Sequence, residues 1–363
     1  MVPYAFELSR LYDDVEVEIL CSSQQEEDFA RAIGQGYENH KCRFVRLNVP
    51  VWARLLDPLL SKVVFVRKSA VLRKNFVRLS SFDVLATPEM TSLVLKERAG
   101  FENTKLVFTG HGAGDNRYGG SFNARIGQFD LALMPGRKYA DGLHEVGYLT
   151  REKAALVGYP KLEAMRQLGV DRRKFFDNDR PTVIFNPHHN RSLSCWHEMG
   201  CAVLDYFYNQ DKYNLIFCPH TVLFKRSWSK GARLPDKYKS CDHVLIDKGS
   251  LASADMTYLR AGDIYLGDVS SQVYEFLETP RPCVFIDTHQ TDWRDNPSYL
   301  QWTFGPVIDR IDQLEQALEE AVQQHDKYRL AQEAAFAETF DVGTKTAGAR
   351  GAHAIVELLG AGQ

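Results

Sequence analysis

The sequence predicts an α/β protein of two domains, each built on a mostly parallel sheet. Three observations predict it. A chain of 363 residues is too long for one ordinary domain and suits two of about 150 to 180 residues. Short apolar runs alternate with amphipathic stretches through both halves, which is a βα rhythm. Several of those runs end in Gly, His or Ser clusters, and open parallel sheets carry ligands at the carboxyl ends of their strands.

The totals exclude several classes. Hydrophobic and charged fractions of 44% and 25% are those of an ordinary globular chain. A net charge of −3 carries no nucleic-acid signature. No apolar run approaches the roughly 20 residues that span a bilayer, and the first residues include an acid and lack the basic start of a signal peptide. The seven cysteines, at 21, 42, 195, 201, 218, 241 and 283, are odd in number and include no Cys-x-x-Cys pair. Reduced thiols in a cytoplasmic compartment are expected, with neither a disulfide framework nor a zinc site.

In chain order, residues 15–21 alternate and then turn apolar, as a strand does. Ser22 and Ser23 then precede Gln24, Gln25, Glu26 and Glu27, an N-cap with an acidic first turn. Residues 42–49 read as the next strand. Residues 50–80 interleave Arg54, Lys62, Arg67, Lys68, Arg73, Lys74 and Arg78 with apolar positions against one acid, Asp57. Such a segment suits peripheral contact with an anionic membrane surface, or a core helix with a solvated basic face. Strands are expected at 82–88, 105–109 and 129–135, with helices at 91–98 and 136–143, and residues 155–160 close the first half. The 105–109 strand delivers Gly110, His111 and Gly112. A histidine between glycines leaves room for close approach of a substrate, and its ordinary pKa near 6.5 suits proton removal at neutral pH. Residues 115–120 read as a mobile polar loop.

In the second half, Thr182 to Asn186 is a strong strand ending in His188, His189 and Arg191. A helix is expected at 195–209, then strands at 213–218, 243–247, 264–266 and 282–287, and a helix at 250–261. The histidines near Cys195 and His197 match no zinc spacing, so no metal is expected. Residues 311–336 carry heptad-like apolar positions, and 347–359 a final helix. At 263–275 an apolar strand runs into Asp268, Ser270 and Ser271, then a helix bearing Gln272 and Glu275. Free N–H groups at a helix start, with two hydroxyls, form a phosphate cradle, and Glu275 lies where a carboxylate meets ribose hydroxyls. An ordinary βα turn with a serine cap gives the same pattern.

Read together, residues 109–112, Gly158 with Tyr159 and Pro160, Pro219 with His220, and 263–275 resemble the CDP-glycerol glycerophosphotransferase family of teichoic acid primases and polymerases. The resemblance spans roughly residues 100 to 290. It implies a GT-B fold of two Rossmann-like domains facing across a cleft. The expected division is an acceptor domain (1–160), a donor domain (161–345) and a C-terminal helix (346–363) crossing back. It implies His111 as general base and His220 as stabiliser of donor phosphate. Arg191, Asp268, Ser270, Ser271, Gln272 and Glu275 are the expected donor contacts. Gly110, Gly112, Tyr159, Pro160, Lys161 and His188 are expected along the cleft. Departures are present: the family's Trp-His-Gly-Thr has Gly110 and Ala113 here, its Arg after Gly-Tyr-Pro is Lys161, and its His-Pro is reversed at Pro219 and His220.

The implied activity transfers glycerol phosphate, or a related polyol phosphate, from CDP-glycerol to a hydroxyl of a glycan or lipid-linked acceptor. The donor is a substrate, and no cofactor is required. Such an enzyme works in the cytoplasm, at the inner face of the membrane where residues 50–80 touch lipid. Alternatives are a GT-B glycosyltransferase using a nucleotide sugar for cell-surface polysaccharide, an epimerase-like or lectin-like nucleotide module, and a scaffold.

Overall fold

The computed structural model describes residues 1–53, 66–110, 112–115, 122–169, 174–224 and 234–360. His111, and most of the basic stretch between 50 and 66, lie outside the described residues. The chain divides into two compact units: Met1–His111, Ser121–Gly169 and Ala337–Gln363 form one, and Gly112–Gly120 and Val170–Phe336 the other. The return to the first unit comes at Ala337, earlier than the 346 expected, and Gly112–Gly120 belongs with the second.

The first unit holds β1 (Glu18–Cys21), β2 (Arg43–Arg46), β3 (Val84–Thr87), β4 (Lys105–Phe108), β5 (Leu131–Met134) and β6 (Ala154–Leu156). β1 and β2 pair in parallel, and β3 to β6 form a parallel four-stranded sheet in sequence order. Ser23 caps the helix Gln24–Gly34 by accepting the Glu26 N–H, which satisfies one free helix donor, and Glu26 accepts the N–H of Ser22, one residue before the cap. A helix at Val2–Leu11 had no counterpart in the sequence reading. It packs on the helix Ala347–Gly360, where Gly348 and Gly351 make room. A Cβ on Gly351 would lie 2.3 Å from the Tyr4 ring. Tyr4, Leu8, Ala352 and Ile355 share one core with Val107 and Leu133 of the sheet.

The second unit holds β7 (Thr182–Asn186), β8 (Asn214–Phe217), β9 (Val244–Ile246), β10 (Ile264–Gly267), β11 (Cys283–Ile286) and β12 (Val307–Ile308). They form one parallel sheet in the order β12-β11-β10-β7-β8-β9. β7, β8, β10 and β11 are buried along their whole length or nearly so, as a doubly covered parallel sheet requires, which is why their sequences read as unbroken apolar runs.

Several expected helices differ. The 91–98 helix is a 3-10 segment, Met90–Leu95. The 195–209 helix opens with a wide π turn, Trp196–Gly200, before regular α structure at Cys201–Asn209. The 250–261 helix is broken by Met256, which sits at φ +68°. Among the described residues no helix is long and apolar enough to cross a membrane.

Candidate functional site

β7 enters the second sheet first. The chain then builds β8 and β9 on one side of it and returns to place β10, β11 and β12 on the other. The direction of winding therefore switches between β7 and β10, which are paired with Asn186 opposite Gly267. Loops leaving two strands at such a point diverge and leave a crevice at their carboxyl ends. Here those loops begin with Pro187 and His188 after β7, and with Asp268 and Val269 after β10.

Three histidines gather at this edge. The ring centroids of His188 and His189 lie 4.4 Å apart, those of His189 and His220 4.2 Å, and those of His188 and His220 5.7 Å. The His220 N–H donates to Pro187 O at 3.0 Å, and buried Asn186 donates to Cys218 O at 2.5 Å, so the ends of β7 and β8 are tied together. Nδ1 of His188 accepts the Asn190 N–H at 3.1 Å, and Nδ1 of His220 accepts the Val222 N–H at 3.3 Å. An imidazole nitrogen that accepts has no proton, so each neutral ring carries its hydrogen on Nε2 and presents it as a donor. Burial, reinforced by the two neighbouring imidazoles, pushes the His188 pKa down to about 3. His188 is therefore a neutral N–H donor at physiological pH.

Asp268 holds this loop in place. Its carboxylate accepts N–H groups from His188 at 2.9 Å, Cys195 at 2.9 Å and Val269 at 2.7 Å. Its carbonyl accepts from Gln301 Nε2 at 2.8 Å and Trp302 Nε1 at 3.0 Å. The side chain is wholly inaccessible. Asp268 was expected among the donor contacts. The structure instead makes it a positioning residue, with its oxygens occupied by backbone donors. Burial outweighs those donors and pushes its carboxyl up to about 6.

The expected phosphate cradle also differs. The helix after β10 is a single short turn, Gln272–Phe276, so its dipole is slight. Ser270 is buried, and its hydroxyl accepts the Gln272 N–H at 3.5 Å. Ser271 is half-exposed. Gln272 donates to Ser253 O at 3.2 Å, Glu275 is buried, and Arg191 is exposed.

The loop that follows His111 joins this unit. A Cβ on Gly112 would lie 3.7 Å from Ser271 Oγ, and one on Gly114 3.4 Å from Ser271 Cβ. Asp115, read from sequence as part of a mobile loop, is buried and accepts the Tyr274 hydroxyl at 2.7 Å and the Gln301 N–H at 3.0 Å. Gln301 thus bonds both Asp115 and Asp268. Gly110 adopts φ +61°, the left-handed region that favours glycine.

No protein-family model matches the sequence, and no curated protein matches it. Solved structures do. The wall teichoic acid polymerase TagF matches with TM-score 0.61 and 14% identity over 99% of this chain and 92% of that one. A Staphylococcus aureus MnaA–UDP co-structure matches with TM-score 0.62 and 14% identity, over 99% and 92%. A UDP-GlcNAc 2-epimerase from Neisseria meningitidis bound to UDP-GlcNAc matches with TM-score 0.54 and 12% identity, over 95% and 99%. The chain has the GT-B fold.

The remaining expected residues of the GT-B chain lie in the first unit. Tyr159 stacks on Phe340 with centroids 4.7 Å apart, and Pro160 begins the helix Pro160–Gln167. Gly158 sits at φ +86°, where a Cβ would come within 2.6 Å of Asp341 O. Gly158, Tyr159 and Pro160 are thus packed against the returning chain, and Lys161 beside them is half-buried. The sequence reading gave no role to Asp115, Tyr274, Gln301 or Trp302. Their partners are 159 to 186 residues away for Asp115 and 33 to 34 for Asp268, so no local pattern marks them.

Proposed function

We propose that the protein is a transferase that moves glycerol phosphate or a related polyol phosphate from a CDP-linked donor to a hydroxyl of a glycan or lipid-linked acceptor. The observation that carries this reading is the pair of tautomer-fixed donors, His188 and His220, at the switch point. Neutral N–H donors in a partly desolvated crevice suit a diphosphate whose charge grows as it departs. Ser271, just after β10, supplies a half-exposed hydroxyl, and Arg191 an exposed cation. The sequence resemblance and the likeness to TagF point to the same donor class.

On this reading His111 removes the proton of the acceptor hydroxyl. The acceptor oxygen bonds to the β-phosphorus, the bond from that phosphorus to the bridging oxygen breaks, and the electron pair leaves with CMP. His188 and His220 hydrogen-bond the phosphate oxygens throughout. Positioning and charge stabilisation supply most of the acceleration. Gly110 and Gly112 leave space on either side of His111. Residues 50–80 are proposed to meet the membrane that carries the acceptor.

A second reading is favoured by the likeness to MnaA and to the 2-epimerase: a nucleotide-sugar enzyme using the same edge, with chemistry at a sugar carbon. Thermal shift against CDP, CMP, UDP, GDP and CDP-glycerol separates the two. Selective stabilisation by cytidine nucleotides, with CMP released on turnover, supports phosphotransfer. Preference for UDP moves the function to nucleotide-sugar chemistry, and no response to any nucleotide overturns both.

A further inference from the structure

We propose that Cys241, Asp242 and His243 form a binding site for a divalent cation of the zinc class, separate from the switch-point edge. The three residues lead into β9, the outermost strand of the second sheet. All six strands run parallel, so the start of β9 lies at the sheet edge opposite His188, His220 and Ser271. In an extended chain, residues i and i+2 share a face, which brings the thiol and the imidazole together.

Cys241 Sγ lies 3.3 Å from His243 Nδ1, and Asp242 Oδ1 lies 3.0 Å from the same nitrogen. Ligand atoms of all three fall within 4.8 Å of one another. A second observation fixes the ring. His243 Nε2 is 2.9 Å from Phe207 O. A carbonyl only accepts, so Nε2 carries a proton; Asp242 Oδ1 also only accepts, so Nδ1 shares a proton with it, and that proton is the one a bound cation would displace. A metal-bound histidine characteristically gives its other N–H to a backbone carbonyl or carboxylate in this way. Tetrahedral zinc, with bonds of about 2.0 Å to N and O and 2.3 Å to S, sets edges of about 3.6 Å for N···S and 3.3 Å for N···O. Both distances here are within about 0.3 Å of those edges, and Cys241 Sγ, which lies 3.5 Å from Nε2 as well, must swing from beside the ring toward Nδ1 to close the site.

Binding removes the thiol proton and the Nδ1 proton and leaves one coordination position for water. The bound cation would clip the start of β9 to the helix Cys201–Asn209 through Phe207, stabilising this corner of the sheet. The sequence patterns weighed earlier missed it because a Cys-x-His pair is shorter than any of them. The rival arrangement is a charged His243–Asp242 pair with a thiol nearby.

The test titrates reduced, metal-free protein with Co²⁺. The expected result is one equivalent bound with thiolate-to-cobalt charge-transfer absorption, displaced by Zn²⁺ and abolished in Cys241→Ser. Asp242→Asn, at an exposed position, should weaken binding by about tenfold or more, since even residues that only orient a ligand are worth that much. The melting midpoint should rise with zinc in the wild type and not in Cys241→Ser. Absence of the band, its survival in Cys241→Ser, or zinc-independent melting of the wild type would overturn the proposal. Nucleotide response is unaffected by these outcomes, so the two readings fail separately.

Discussion

Asp268 accepts the backbone N–H of His188 at 2.9 Å across 80 residues of sequence. One carboxylate therefore sets the direction in which a histidine from a different strand leaves the sheet. Asp268→Asn keeps the shape but turns one oxygen into a donor, which must then face the N–H of Cys195 or Val269. The expected loss is about 2–4 kcal/mol, read from urea unfolding. Nucleotide affinity should fall with it, because the His188 loop loses its anchor. Unchanged stability would show that Asp268 does not hold the loop.

The same two residues give opposing pH dependences. His188 has its pKa depressed to about 3 from 6.5, so between those values the unfolded chain binds the proton first and stability is lost as pH falls. Asp268 has its pKa raised to about 6 from 3.8, so in that window the folded chain holds more protons and stability is lost as pH rises. Urea midpoints at pH 4.5 and 7 should separate them. His188→Gln should lose less stability than wild type on acidification. The cost of Asp268→Asn should be larger at pH 4.5 than at pH 7. Parallel curves for all three proteins would refute both assignments.

Most strands of the second sheet were legible because a doubly covered parallel sheet demands continuous apolar runs, while two-residue β12 was too short to show one. Thr182–Asn186, at the head of the second sheet, ends where its sequence says it should. Local caps were equally legible, as Ser23 with Glu26 shows. The helices were less so. Met256 at φ +68° breaks a run that helix propensity alone would continue, because tertiary packing fixes that turn. The sequence singled out His188 and His220 by residue type and place, and the fold brings their rings within 5.7 Å of each other. It assigned Asp268 to the ligand because an exposed acid and a buried staple share one letter. Burial and the partners Cys195, Gln301 and Trp302 distinguish them, and those are properties of the folded chain.

Tyr274 gives its hydroxyl to Asp115 at 2.7 Å, and Asp115 lies four residues beyond His111. Tyr274→Phe removes one hydrogen bond to the Asp115 carboxylate, at a cost of about 1.5–3 kcal/mol. Amide exchange at residues 112–115 should quicken, and kcat should fall while nucleotide affinity holds. A drop confined to nucleotide affinity would place Tyr274 in donor binding.

Gly158 combines a left-handed backbone with contacts that leave no room for a side chain. A Cβ there would lie 2.4 Å from Arg350 Nη2 and 2.6 Å from Asp341 O, and Arg350 is itself paired with Asp341. Gly158→Ala should destabilise the first unit by at least about 2 kcal/mol, from strain at φ > 0 and displacement of that pair. Limited proteolysis near 341–350 should quicken. A wild-type melting curve would show that this joint yields freely.

Ser270 and Ser271 stand side by side in the sequence but differ in exposure, which separates their roles. The Ser270 hydroxyl is buried, accepts the Gln272 N–H and bonds with buried Tyr265. Ser271 is half-exposed beside Gly112. Ser270→Ala should cost about 1 kcal/mol of stability. Ser271→Ala should leave stability nearly unchanged and weaken cytidine nucleotide binding about tenfold, the worth of one hydrogen bond to a charged phosphate. Paired melting and calorimetric titration read both quantities on each variant. Should Ser270→Ala lose affinity at full stability while Ser271→Ala binds normally, the hydroxyl that meets phosphate is the buried one, and the loop must open to admit the donor.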